Sequence, residues 1–528
     1  MYDYVLVGAG SAGCVLAARL TEDPDVSVLL LEAGGPDANE NIHVPLGYLK
    51  LGGTELDWGY FTAPEPRCNG RRIALPRGRV LGGSSSVNAM VYIRGNPRDY
   101  DDWEVPGWAW ADLLPYFLKA EDNERGASQW HGVGGPLAVS EQRSGNRISL
   151  AFVEAGVQAG LVRNADFNGP AQDGVGMYQV TQRGGMRASA SVSYLHPAMV
   201  RPNLTVMPYM QVSRVLFDGT RAVGVEASQL GQAQELRAAR EVILCGGAFN
   251  SPQLLMLSGV GPAEHLTLRE IEVLLDAPAV GENLSDHAAS YCVWTTPEPE
   301  SLLLGREPAA LEQFMASQTG PLASNLAEAG GFVRVEPGAS APDVQFHVAP
   351  VQIVDEGLGE TEEHGVWASP CLLTPESRGS VRLASSDPTA KPIVRNDFYA
   401  HEADLTRMVA GLRRMLEICA QPAIAPYCAQ PFTLPAGDSD EALRAHVAAT
   451  TFPIYHPVGT CALGSVVDEQ LRVQGVEGLR VVDASVMPVV PRGNTNAPTI
   501  AIAERAADLI KGETPLRAEA GTDAHAAA

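Results

Sequence analysis

Residues 2–35, YDYVLVGAGSAGCVLAARLTEDPDVSVLLLEAGG, decide the class of fold. Residues 4–7 are a short apolar run of strand type that leads into Gly8-Ala9-Gly10-Ser11-Ala12-Gly13. An Ala-rich helical stretch follows over 14–20, and a second apolar run, 26–31, ends in Glu32. Each part has a mechanical reason. Gly8 permits a tight turn out of the strand, Gly10 lets the backbone approach a pyrophosphate, and Gly13 lets helix and sheet pack closely. The helix N-terminus then faces the phosphate charge. Glu32, 19 residues after Gly13, stands where a carboxylate accepts hydrogen bonds from a ribose. A plain Gly-rich turn between strand and helix would need neither the acid nor the second strand. The unit reads as a site for NAD or FAD and does not distinguish them.

A chain of 528 residues is long enough for two to four domains. With 38 Lys and Arg against 62 Asp and Glu, the net charge of -24 excludes nucleic acid as a partner, since phosphates would go unneutralised. It equally disfavours docking on an anionic membrane by charge. No apolar stretch approaches the roughly 18 residues a membrane span needs, and no signal or transit segment is expected ahead of the first strand. The eight cysteines show no C-x-x-C pair, which fits reduced thiols and a cytoplasmic location. The histidines lack ligand spacing, so no metal site is expected.

Residues 34–107 are rich in Gly, Pro and Trp and read as an extended cover. Helices are expected near 111–123, 149–160, 251–258, 402–419 and 499–511, the last with Pro498 at its first position. Strands are expected at 204–206, 212–217 and 222–226 around an Asp218-Gly219 turn, then at 241–248, 343–348 and 380–383. The last residues are small and polar and read as disordered.

Six motifs in order carry a resemblance. They are VGAGSAG with LEAGG, GRVLGGSSSVNAMVYIRG at 78–95, GAFNSPQLLMLSGVG at 247–261, VGENLSDH at 280–287, YHPVGTCALG at 455–464 and VVDASVMPVVPRGNTNAPTIAIAERAADLI at 481–510. On these the chain resembles the glucose–methanol–choline (GMC) oxidoreductases along nearly its whole length, nearest to the choline-dehydrogenase-like and alcohol dehydrogenase branch. The resemblance implies that the dinucleotide is FAD. It implies an α/β fold with a discontinuous Rossmann-type FAD-binding domain and an α+β substrate domain on a mainly antiparallel sheet. The FAD domain would take 1–150, with the flavin cover loop, 196–289 and 451–515. The substrate domain would take 151–195 and 290–450, and 516–528 would be a disordered tail.

By motif match, Gly8, Gly10, Ser11, Ala12, Glu32 and Ala33 would hold the ADP half, and Val212 would meet the adenine through its backbone. Arg79, Gly82, Gly83, Ser84, Asn88, Ala89 and Val91 would line the pyrophosphate and flavin. Asp483, Ala484, Asn496 and Thr499 would close over the ribityl chain and pyrimidine ring. Some choline oxidases carry a histidine bonded to FAD where this chain has Val87, so non-covalent FAD is expected.

The chemistry implied is oxidation of a primary alcohol to an aldehyde. His456 would take the hydroxyl proton, imidazole having the side-chain pKa nearest working pH, while hydride passes to flavin N5. Asn496 would donate to the substrate oxygen beside it. His287 reads as structural. Electrons are expected to go to a quinone-like acceptor; an alcohol oxidase that makes peroxide and a hydroxynitrile lyase on the same scaffold are the other readings. The alcohol and the oligomeric state stay open.

Overall fold

The computed structural model describes residues 1–353 and 362–518. Its organising element is a seven-stranded sheet. The apolar strand Tyr2–Val7 pairs in parallel with Val28–Leu31 on one side, Val7 opposite Leu31, and with Gln232–Leu244 on the other, Val7 opposite Leu244. Leu204–Met207 extends the parallel sheet at one edge and Leu479–Val481 at the other. Strands buried on both faces read as continuous apolar runs, as VLLL does at 28–31. Gln232–Leu244 is long enough to serve twice: its exposed first half pairs antiparallel with Arg221–Gln229, which in turn pairs with Gln211–Asp218.

The helix Ser11–Leu20 crosses between the first two strands and packs against the C-terminal helix Asn496–Lys511. Arg19 Nε donates to Glu504 Oε2 at 2.8 Å across that contact, and the Tyr194 hydroxyl donates to Glu504 Oε1 at 2.9 Å. The C-terminal helix starts at Asn496, two residues ahead of Pro498, which puts that proline third rather than first. No hydrogen bond is lost, because the first four N–H groups of a helix have no acceptor within it.

The second sheet has eight strands. Gly174–Met177, Ala329–Val333, Val344–Ala349, Gly365–Leu372, Cys292–Thr295 and Gln430–Thr433 form an antiparallel series. Helices Arg147–Gln158, Glu402–Cys419 and Asp440–Thr450 cover one face with an apolar core. Period-two alternation sorts the strands: Val344, Phe346 and Val348 enter that core, while His347 lies on the opposite face, over a cavity. Ala288–Ala289 and Phe452–Pro453 also join this sheet, so the chain enters it slightly before residue 290 and leaves it slightly after 450. The two crossings are zipped together: Ser285 and Val458 exchange backbone hydrogen bonds at 3.1 and 2.9 Å, and Ile454 N–H donates to the His287 carbonyl.

Other boundaries also differ from expectation. The helix expected over 111–123 is Trp110–Ala120, followed at once by the short strand Glu121–Asn123. The helix near 251–258 begins at Gly247 and holds Pro252 within its first turns. The disordered tail expected from 516 is tied down at its start, since Leu516 N–H donates to the Tyr116 hydroxyl and Ala518 N–H to the Ala111 carbonyl, both at 2.9 Å. Residues 519–528 lie outside the described residues. Among the described residues no helix is long and apolar enough to cross a membrane.

Candidate active site

The carboxyl ends of the parallel strands open onto a cavity of about 2510 Å³ whose far wall is the second sheet. Open α/β sheets bind ligands at this end, and the space exceeds the roughly 300–1,000 Å³ that a drug-sized ligand occupies. Every cofactor position named above lines it except Gly82. Gly82 instead donates its N–H to the Ala9 carbonyl at 2.8 Å, and a side chain there would meet Ser86 Oγ. Its role is to turn the chain.

Close backbone approach brings the separated glycine motifs together. A Cβ on Gly83 would lie 2.7 Å from Gly10 Cα, and one on Gly34 would lie 1.9 Å from the Arg79 carbonyl oxygen. Gly10 differs. A Cβ there would meet no protein atom nearer than 3.9 Å, although the residue lines the cavity. Packing within the chain does not require that glycine; a ligand pressed against the backbone does. Arg79 supplies a cation, its Nε without a partner among the described residues and its guanidinium 5.1 Å over the Trp58 ring. A bare backbone beside a guanidinium fits a pyrophosphate.

Glu32 is buried, and burial pushes its carboxyl up to about 7 even though it accepts from the N–H groups of Ala9 and Gly34 at 2.9 and 2.8 Å. Each carboxylate oxygen keeps acceptor capacity toward the cavity it lines. Asp483, also in the wall, is spent on holding the site together: it accepts from Gly247 N–H at 2.8 Å and from the Ser251 hydroxyl, fastening the helix Gly247–Leu257 to the C-terminal motif.

His456 lies in the same cavity, 8% exposed. The residue before it, Tyr455, has φ 67°, a left-handed conformation uncommon for a bulky side chain and typical of functional positions. Arg77 Nη2 holds the Tyr455 carbonyl at 2.7 Å. Asp286 Oδ1 accepts both the His456 and the His287 N–H groups, at 2.7 and 2.8 Å. The two rings meet at right angles, Nδ1 to Nδ1 at 3.0 Å. His287 is thus the direct partner of His456, beyond the structural role read from the sequence.

The partner on the other side is a correction. The side chain facing His456 is Asn494, whose Nδ2 lies 3.2 Å from His456 Nε2. Asn496, chosen for that place from the sequence, instead accepts a hydrogen bond from Ser11 Oγ at 2.7 Å. The helix start explains the swap. Asn496 is the first residue of the C-terminal helix and turns toward the glycine loop, whereas Asn494 precedes the helix and faces His456. Asn496 still lines the cavity beside Thr499.

Protonation follows from this geometry. Burial holds His456 well below its ordinary pKa, and neighbouring positive charge on His287, His347 or Arg77 would add to that. Burial likewise takes His287 down to about 3 and His347 to about 4, while Asp286 rises to about 7. The three imidazoles are therefore neutral at working pH. An amide nitrogen only donates, so His456 Nε2 carries the lone pair and its proton sits on Nδ1, given to His287 Nδ1. A neutral base and an amide donor face one cavity.

The sequence reading did not single out Arg77, His347 and Asn494. His347 carried a signal, a polar residue alternating with Val344, Phe346 and Val348. Among the described residues no group of three His, Cys, Asp or Glu could hold a metal.

Comparison with known proteins adds to this geometry. The GMC oxidoreductase sequence profiles match residues 2–289 and 375–503. An alcohol dehydrogenase [acceptor] of Pseudomonas putida is 43% identical, over 97% of this chain and 96% of its own length. An oxygen-dependent choline dehydrogenase of Burkholderia cenocepacia is 44% identical, over 98% and 94%. A crystal structure of Aspergillus oryzae formate oxidase, studied for FAD modification, superposes with a TM-score of 0.90 at 27% identity over 97% of this chain and 98% of that one.

Proposed function

This chain belongs to the GMC oxidoreductase family, FAD-dependent enzymes that oxidise CH–OH donors, and we propose that it converts a primary alcohol to an aldehyde with His456 as base. The observation that carries this is the pairing of His456 Nε2 with Asn494 Nδ2 at 3.2 Å on the wall of the dinucleotide cavity. FAD, when bound, supplies the acceptor for the two electrons that leave the carbinol carbon.

The residues of the chain do the rest. The substrate hydroxyl comes between Nε2 and the amide, giving its proton to the first and accepting from the second. Asn494 stabilises the alkoxide where its charge develops. His287 accepts the Nδ1–H and so keeps the lone pair of His456 on the substrate side. The proton then resides on Nε2 until it passes to solvent. Water is excluded by the cover segments Glu40–His43 and Pro45–Lys50, which line the cavity. Gly10 and Arg79 would hold the pyrophosphate, and Glu32 the adenosine ribose. Val87 lines the cavity without a nucleophile, which supports non-covalent FAD. The name of the Pseudomonas putida relative favours an electron acceptor other than oxygen and that of the Burkholderia cenocepacia relative favours oxygen; we take the first, and the measurement under air decides between them.

The test is anaerobic. Flavin in the purified enzyme should bleach with at least one primary alcohol, and His456→Ala should slow bleaching by about 10²–10⁴ while retaining flavin. Under air, dye reduction should far outrun peroxide formation, and acid precipitation should release the flavin. Stoichiometric peroxide would make the enzyme an oxidase. Flavin that stays oxidised with every alcohol would end the alcohol-oxidation reading.

A further inference from the structure

One wall of the cavity is a hydrophobic cluster in its own right. Tyr291, Leu326, Val351, Ile353, Trp367 and Phe452 pack with Val293 and Ala349, and those six line the cavity. The rings are committed to one another. Tyr291 and Trp367 stack at 6.3 Å, and Phe452 meets them edge-on at 5.7 and 5.9 Å. Phe452 also lies 6.5 Å from Tyr455, the neighbour of the base. Apolar lining continues outward through Phe314 to Leu311 and Met315, which stand 55% and 76% exposed in the cavity wall. Apolar side chains thus line the cavity both near His456 and at its exposed margin.

Leu326 carries a sharper sign. Its φ of 75° is one that glycine adopts freely and a branched side chain does not. Leu326 holds a branched side chain at this strained backbone position and lines the cavity.

Charged and polyhydroxylated substrates fit this wall poorly. A quaternary ammonium needs ring faces turned toward it, whereas these rings pack on each other. A sugar needs a partner for each buried hydroxyl, and of the six side chains of this wall only Tyr291 and Trp367 carry a polar atom.

Resting on the alcohol-oxidising reading of the site, we propose that the substrate is an uncharged primary alcohol with an apolar tail. Its hydroxyl meets His456 and Asn494, and its tail lies along the Leu326–Trp367–Phe452 wall.

Dye-linked turnover and anaerobic bleaching of the holoenzyme with 1-alkanols of increasing length, choline and a hexose test this. We expect kcat/KM to rise about three- to fourfold per added methylene until the wall is covered, with choline and hexose below the longer alkanols. Leu326→Gly, which relieves the backbone, should flatten that slope, with the melting temperature of the holoenzyme read in parallel. Should L326G fail to fold, Ile353→Ser reads the same slope. A flat length profile, or choline or hexose outrunning the long alkanols, overturns the assignment and leaves alcohol oxidation standing. An unchanged slope in the folded variants overturns the role of the wall. Flavin that no alcohol bleaches removes both readings together.

Discussion

His287 Nδ1 and His456 Nδ1 lie 3.0 Å apart, so one ring must donate to the other. With Asn494 donating to the far nitrogen of His456, the donor in the pair is His456. His287 thereby sets which nitrogen of the base is free. His456→Ala should lower kcat by about 10²–10⁴. His287→Ala should lower it less and should shift the acid limb of the kcat/KM profile, because it frees the tautomer without removing the imidazole. A His287→Ala enzyme with an unmoved pH profile would show that the contact is packing alone.

The two asparagines should separate cleanly. Asn494→Ala removes a donor at the reacting oxygen, and losing one such donor costs about 10²–10³ in kcat. Flavin content should stay the same. Asn496→Ala releases Ser11 in the glycine loop and should weaken flavin retention more than it slows turnover of the loaded enzyme. Single-turnover reduction and flavin content measured on both variants check this.

Two glycine substitutions test the cavity against the fold. Gly10→Ala finds room within the protein, so the chain should fold and lose its hold on FAD. Gly83→Ala would drive a Cβ to 2.7 Å from Gly10 Cα at a backbone φ of 52°. That overlap is destabilising, by about 1–3 kcal/mol on the scale of overpacked cores. Thermal unfolding of each apoprotein, with FAD titration, distinguishes them.

The buried imidazoles and the buried carboxyls of this site pull stability in opposite directions with pH. His287 and His347 have folded values of about 3 and about 4, below the roughly 6.5 of a free imidazole. The unfolded chain therefore takes up protons first as pH drops. Their contribution is intact above about 6.5 and erodes as pH falls toward 4 and then 3. Glu32 and Asp286, both raised to about 7, act in the opposite sense, their contribution lost as pH rises through that value. His347→Gln should flatten the acid limb of melting temperature against pH.

The glycine turn, the acid at 32 and the helix Glu402–Cys419 were legible because their signals are local. The choice between Asn494 and Asn496 was not. Gly-Asn-Thr-Asn offers two amides two residues apart, and which one faces His456 depends on where the next helix begins. Pro498 suggested a later start, but proline is tolerated anywhere in the first turn. The His287–His456 contact joins residues 169 apart in the chain, with nothing near either to announce the other. His347 was readable in principle, since strand alternation isolates it from three apolar neighbours.

The base sits where the polypeptide passes from one sheet to the other and back, with Ser285 laced to Val458. Neither half of the molecule therefore owns it. Expressing the nucleotide-binding portion or the antiparallel portion alone would sever at least one of these passes and strand His456 or its companion. Cleavage or permutation at this junction should abolish turnover even where both halves still fold.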